Sequence, residues 1–522
     1  MHFKTVLVGI VAGALVALSA SPAQAASTRY EAENSPAVCT GTIDTNWSGY
    51  SGSGFCNGDN AVGAAAQFSV TASAAGSATI AVRFSNGATT SRPADLVVNG
   101  STVQFVSFEA TGAWSTWVSK ALTVPLPAGS STIRLNPTTS AGLPNIDYLD
   151  VTVDDAPAAN ALYVATNGDD SNAGTLAAPL RTIQKAVDLA QPGHTIYIRG
   201  GTYAPSTNIQ ILKNGTSSRP ITMRNHNNER VIIDGENMPY TPGEVGSTIP
   251  RSQRGAIHIE GDYWRLIGLE IIHGPYGIFG LDSNNNVYDR LVTRDNYETG
   301  LHLVLATSNN QILNLDSYGN RDPRKNGESA DGLAIKEGSG SGNVVRGARL
   351  WNNADDGLDY WMFSSPIITE NSLAWGNGFN RWNIPDFTGD GNGFKLGGNS
   401  VAANHTVRNS MTWNNAVGGF VDNNNPGQHK IERSTAWDNP KTGFQFDRSD
   451  STLTKNLAAA NGADVSLGSN SSGSGNSWDI GGSWSFESTN PGTITGPRNA
   501  DGSIPSSNFL RPSNGADVGA RF

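Results

Sequence analysis

Cysteine is nearly absent from this 522-residue chain, which has only Cys39 and Cys56. So few soft ligands argue against a structural zinc site. In an oxidising compartment the two are expected to form one disulfide closing a short surface loop. Charge is sparse as well, at 15% of residues with a net value of -10. This acidic balance argues against a nucleic-acid partner, which needs basic patches. Any anionic polymer would have to be met by local cations or bound metal. Long apolar runs are missing beyond the first 25 residues, so no later bilayer span is expected. Residues 1–25 read as a secretory signal: His2 and Lys4, an apolar run over 6–20, then Ala23-Gln24-Ala25 as a small-residue cleavage site. A secreted, extracellular, soluble monomer is expected.

Glycine is abundant, at 60 residues, which suits a turn-rich β protein long enough for two domains. Residues 27–153 are rich in Ser, Thr, Ala and Gly and carry short alternating runs such as ATIAVRF (78–84) and STIRLNP (131–137). That pattern predicts a β-sandwich. Residues 154–160, small and polar with one proline, read as a linker to a second domain at 161–522.

The second domain repeats itself. Segments 315–320, 348–353, 372–377, 410–415 and 434–439 each place an aromatic two residues before an asparagine, and Asn296 and Asn461 extend the asparagine column. The asparagine spacings are 24, 33, 24, 38, 24 and 22 residues, a unit near 24 with insertions in two turns. A fixed period of this size marks a solenoid, and apolar alternation over strand-length runs favours β-coils over helix pairs. Propeller blades need longer units. The fold class expected is therefore all-β, a right-handed parallel β-helix preceded by a β-sandwich. Asparagines stacked at one corner would hydrogen-bond along the ladder. Trp351, Trp375, Trp413 and Trp437 are expected to form an internal aromatic stack. The run PLRTIQKAVDLA (179–190) has helical spacing and should cap the first coil.

Most units also carry a glycine followed by alternating apolar residues: GLHL, GLAI, GLDY, GFKL and GFQF. The second residue after that glycine should point outward. Down the coils this column reads His302, Ala334, Asp359, Lys395, Val421 and Gln445. Asp331 and Asp356 precede the glycine at the corner, with Asp355 alongside. Asp331, Asp355, Asp356 and Asp359 should thus meet on one outer face beside Lys395. Carboxylates this close repel unless a counter-ion joins them, and calcium's 6–8 oxygen ligands suit the set. Beside bound Ca2+ and partly desolvated, Lys395 should have a lowered pKa and act as a base. Arg324, Lys325, Lys336 and Arg381 could grip a polymer but read first as solvated surface charge. Arg381 is the best exception, because its inserted loop could line a cleft.

The motifs ADGLA (330–334), ADDGLD (354–359) and GFKLGG (393–398) resemble polysaccharide lyase family 9 across roughly 160–500. The resemblance implies a calcium-dependent pectate lyase in which the four aspartates bind calcium and Lys395 takes the proton. Acidic plant cell-wall polysaccharide, a galacturonan, would be the partner. Segments YEAEN (30–34), FSNG (84–87), WSTW (114–117), LPAGSSTIRL (126–135) and NIDYLDV (145–151) look like a family 35 carbohydrate-binding module, akin to family 6. That likeness implies a structural calcium at Glu31, Glu33 and Asp150, and a ligand site near Asn145, Trp114 and Arg92. Core packing remains open for Trp114 and Trp117. A rhamnogalacturonan or other polyuronide is an alternative substrate. A β-helix polygalacturonase would use paired carboxylates such as Asp355 and Asp356, but no G-H-G or R-I-K motif is present and the lysine would have no role. A non-enzymatic polymer-binding solenoid is the remaining reading.

Overall fold

The structure is a computed structural model describing residues 27–72, 76–127, 129–154, 160–499 and 501–522. The expected signal segment 1–25 and most of the expected linker, 155–159, lie outside them. The chain divides into two compact units, 1–158 and 159–522.

The first unit is a sandwich of a six-stranded and a five-stranded antiparallel sheet. Strict alternation builds it. Ala66–Ala72 buries Ala66, Phe68, Val70 and Ala72, while Gly129–Pro137 buries Ile133 and Leu135 against them. Cys39 and Cys56 form the disulfide.

The second unit stacks three parallel sheets of 12, 10 and 10 strands. Most strands are only two to five residues long, so each coil alone buries little and depends on its neighbours. Helix Ile183–Leu189 caps the first coil as the spacing predicted. Thr182 accepts from the Lys185 amide at its start, and Ile183, Ala186 and Val187 face the core.

The asparagine column forms a continuous side-chain ladder through Asn296, Asn320, Asn353, Asn377, Asn415, Asn439 and Asn461. Each Nδ2 donates to the next Oδ1 at 2.8–3.0 Å. It seals the corner that precedes the glycine motifs.

The aromatic column differs from expectation. Tyr318, Trp351, Trp375 and Trp413 do stack, with centroids 4.2, 4.9 and 4.9 Å apart. The stack is not internal. The residues between, such as Leu350 and Ala374, fill the coil interior, and Trp413 instead joins a separate cluster with Ile494, Phe509 and Leu510. Period-two alternation puts the indoles on the outer face, where C-terminal residues cover them. Trp437 meets Phe509 edge-on at 6.1 Å.

Candidate active site

The outward column is assembled by register. Phe279 pairs with His302, His302 with Ala334, Ala334 with Asp359, Asp359 with Lys395 and Lys395 with Val421. Residues 36 positions apart are thereby neighbours on adjacent rungs. At the corner, one oxygen each from Asp331, Asp355 and Asp356 lie within 4.8 Å of one another. All four aspartates are at most 1% exposed.

Backbone amides aim these carboxylates. Asp355 Oδ1 accepts from the Asp390 amide at 2.7 Å, and Asp356 Oδ1 accepts from the Asn392 amide at 2.6 Å. Asp359 Oδ1 accepts from the Trp361 amide at 2.8 Å. Asp331 Oδ1 and Asp356 Oδ2 are buried without a hydrogen-bond partner. Lys395 Nζ lies 3.1 Å from that Asp356 oxygen as an ion pair and donates to Asp390 Oδ2 at 2.7 Å.

Electrostatics follow from this crowding. Burial raises the Asp355 carboxyl well above its usual range, helped by Asp356 and Asp331. Burial likewise raises Asp356, to about 7, and raises Asp331. For Asp359 burial acts upward too, but Lys336 and Lys395 outweigh it and hold the carboxyl low. Burial alone would lower Lys395, as expected from the sequence. The surrounding carboxylates of Asp356, Asp359, Asp355 and Asp390 reverse this and push its pKa well up.

Lys336 is not the solvated charge it seemed in sequence. Its ammonium is buried, with the side chain 12% exposed, and donates to Asp331 Oδ2 and Asp359 Oδ2 at 2.9 Å each. It lies two positions beyond Ala334, so it shares that outward face, a signal the repeat did contain. Arg324 is also buried, paired with Glu298 and bonded to the Ser247 carbonyl, and is therefore structural. Lys325 remains exposed and reaches Ser329 Oγ at 3.2 Å. Arg381 lies over the Phe379 ring at 5.0 Å and does not line the cleft; its loop contributes Asp390 instead.

The cleft above the column has a volume of about 430 Å³, and Tyr276, His302, Lys336, Asp359, Trp361 and Lys395 line it. Trp361, unnoticed in sequence, packs closely on Gly398, where a Cβ would collide with its ring.

In the first unit, Glu31 Oε1 accepts from Ser51 Oγ at 2.7 Å and Glu33 Oε1 from the Ser53 amide at 2.8 Å. Their Oε2 atoms are buried without partners. Asp150 does not join them. It faces Arg29 across an antiparallel pair and forms a two-pronged ion pair at 2.8 and 2.9 Å. The fully buried carboxylate beside Glu31 is Asp147, because a bulge between Ile146 and Tyr148 shifts the strand register there. Burial raises Asp147 to about 6, against the Ser51 amide, with Glu31 adding to the rise. Arg92 lies 5.1 Å over Trp114, and Asn145 pairs with Ser85, whose hydroxyl bonds the Trp114 carbonyl, so these expected ligand-site residues do gather. Trp117, half-buried, packs edge-on against Phe55 at 5.2 Å, and its Nε1 donates to the Ser48 carbonyl at 3.0 Å.

Comparison with known proteins agrees with this architecture. The profile of the Pel9A-like, right-handed β-helix region matches residues 162–461, and that of the family 6 carbohydrate-binding module matches 36–153. The chain is 50% identical over 384 residues to pectate lyase PEL9 of Emericella nidulans, covering 69% of this chain and 94% of that protein. The crystal structure of pectate lyase Pel9A superposes with a TM-score of 0.59 at 32% identity, covering 68% of this chain and 89% of that one. A rhamnogalacturonan lyase also superposes at 0.59, with 25% identity, over 69% and 99%. The chain therefore belongs to the Pel9A-like right-handed β-helix family and is a polysaccharide lyase carrying a family 6-type carbohydrate-binding module.

Proposed function

We propose that the β-helix domain cleaves pectate, a 4-linked galacturonan, by calcium-dependent β-elimination with Lys395 as Brønsted base. The supporting observation is the convergence of Asp331, Asp355 and Asp356 oxygens within 4.8 Å beside a buried lysine. The set fits calcium. All donors are hard oxygens, and two buried ones, Asp331 Oδ1 and Asp356 Oδ2, lack a hydrogen-bond partner. Asp331, Asp355, Asp356, Asp359 and Asp390 against Lys336 and Lys395 leave three negative charges over, an excess that a divalent cation offsets.

Those four aspartates would hold the ion. When bound, it supplies positive charge that stabilises the substrate carboxylate as C5 loses its proton. Lys336 ties Asp331 to Asp359 and keeps both aimed at the site. Lys395, in its neutral form, takes the C5 proton through Nζ. The C5–H electron pair becomes the C4–C5 double bond. The C4–O4 bond breaks, and O4 leaves with its electrons and takes a proton from water. Burial of the Lys395 side chain keeps competing water away from Nζ.

In the binding module, Glu31 and Glu33 with Asp147, in place of Asp150, would hold a structural calcium, and Asn145, Trp114 and Arg92 would meet sugar. The leader-like segment 1–25 supports secretion, and a monomer acting on plant cell walls is the form we propose. Incubation with polygalacturonate and calcium tests the reading: ultraviolet-absorbing unsaturated product supports it, and new reducing ends without unsaturation mean hydrolysis. Rhamnogalacturonan is the second reading, favoured by the fold shared with a rhamnogalacturonan lyase. Turnover of that polymer but not polygalacturonate would establish it.

A further inference from the structure

The end of the cleft beyond Ala334 holds polar groups that the elimination does not use. His302 is 5% exposed, lines the cleft, and neither ring nitrogen has a hydrogen-bond partner. Leaving two such atoms idle in a buried place is costly unless a ligand satisfies them. Its ring is fixed by Tyr276 and Phe279, with centroids 5.5 and 5.3 Å away. The same two rings carry Arg254, whose guanidinium carbon lies 6.0 Å from Tyr276 and 5.4 Å from Phe279. Arg254 also lines the cleft. Its Nε donates to the Ile249 carbonyl at 3.2 Å, and no carboxylate among the described residues pairs with it.

The two residues thus share one aromatic base and face one cavity. A neutral imidazole offers one donor and one acceptor, the complement of a sugar hydroxyl pair. Burial keeps the ring neutral, holding its pKa well below the usual value, with Lys336 and Arg254 adding to the effect. An unpaired guanidinium fork matches a carboxylate bidentately. Hydroxyls and a carboxylate on one ring describe a uronate.

Spacing separates this place from the reacting bond. His302 stands two rungs from Asp359 and three from Lys395 in the same column. At a strand spacing of about 4.8 Å that is roughly 10 and 14 Å. Ala334 between them has only a methyl group, so the floor stays low for a polymer to run along it.

We propose that Arg254 and His302 form a second uronate-binding subsite, which takes a sugar on the far side of Ala334 from the Asp359–Lys395 pair. This rests on the polyuronide lyase reading and deepens it: the enzyme would read carboxylates at two places along the chain, and so favour long, unesterified galacturonan.

The test compares short and long oligogalacturonates, with calcium present, in the wild-type protein and in Arg254→Ala, Arg254→Lys and His302→Leu. The wild type should gain in kcat/KM once the oligomer is long enough to reach the subsite. In Arg254→Ala and His302→Leu that gain should shrink at least ten-fold, mainly through KM, with Arg254→Lys intermediate. A length-dependent gain preserved in both, or an equal loss on short and long substrates, would overturn the subsite. Absence of unsaturated product from the wild type on any substrate would instead reject the lyase reading itself. Arg254→Ala removes no core side chain, so it remains informative should His302→Leu misfold.

Discussion

Lys395 and Asp359 face each other on adjacent rungs of one parallel ladder, with Nζ 3.8 Å from the Asp359 carboxylate. A base beside a carboxylate at this distance is held protonated until something cancels the negative charge around it. Divalent metal is the natural agent, since it would neutralise the same carboxylates that raise Lys395. Base and metal site are therefore coupled by geometry.

Replacing Lys395 with alanine should cut formation of unsaturated product by about 10²–10⁴-fold, the range for a general base. Calcium binding should persist, measured by calorimetry. Lys395 takes the C5 proton only in its neutral form, so wild-type kcat, measured with calcium bound, should climb with alkaline pH. A flat profile from pH 7 to 10 would argue against a lysine base.

Chelation should abolish turnover. Calcium at 100 times its Kd should stabilise the wild type by about 2.7 kcal/mol. Asp356→Asn should lose both turnover and most of that stabilisation in denaturant titrations.

In the full-length protein, Asp147→Asn should remove one calcium from the binding stoichiometry. Asp150→Asn should leave that stoichiometry intact, because its carboxylate is committed to Arg29. Loss of that calcium in Asp150→Asn but not in Asp147→Asn would return the assignment to Asp150.

Acid should loosen the β-helix through His429, which lies 1% exposed in the core, stacked on His405 at 5.5 Å. Burial lowers its pKa from 6.5 to about 4. The unfolded chain therefore binds the extra proton between these values, and the contribution is fully present above pH 6.5 and lost as pH falls to 4. Some 2.5 pKa units amount to about 3 kcal/mol. His429→Phe should show a correspondingly smaller stability difference between pH 7 and pH 4 in urea unfolding.

Asn377→Ala should be destabilising by roughly 2–5 kcal/mol, since it orphans the Asn353 amide and side-chain donors in a buried ladder. Asn399, at an exposed turn with a positive φ of 54°, serves as the control outside the ladder.

Much of the site is legible in the sequence. The glycine motifs set Asp359 beside Lys395 and Asp331 beside Asp356, because an in-register parallel stack turns a repeat position into a spatial column. The asparagine ladder followed by the same logic. Lys336 could have been read from its place two residues past Ala334, yet a lone lysine on an outer face usually meets water.

What the sequence by itself determined is the periodic part: the coil, its capping helix, the inward and outward faces, and the residue columns down the stack. What only the tertiary structure decided are the places where the repeat stops governing. The 379–391 loop folds back to bring Asp390, not Arg381, to the cleft. C-terminal residues cover the outer indoles. A single bulge puts Asp147, and not Asp150, beside Glu31. Period-two alternation prescribes which face a strand residue takes, but an insertion, a tail or a bulge is positioned by packing against distant residues, and no local spacing records that packing.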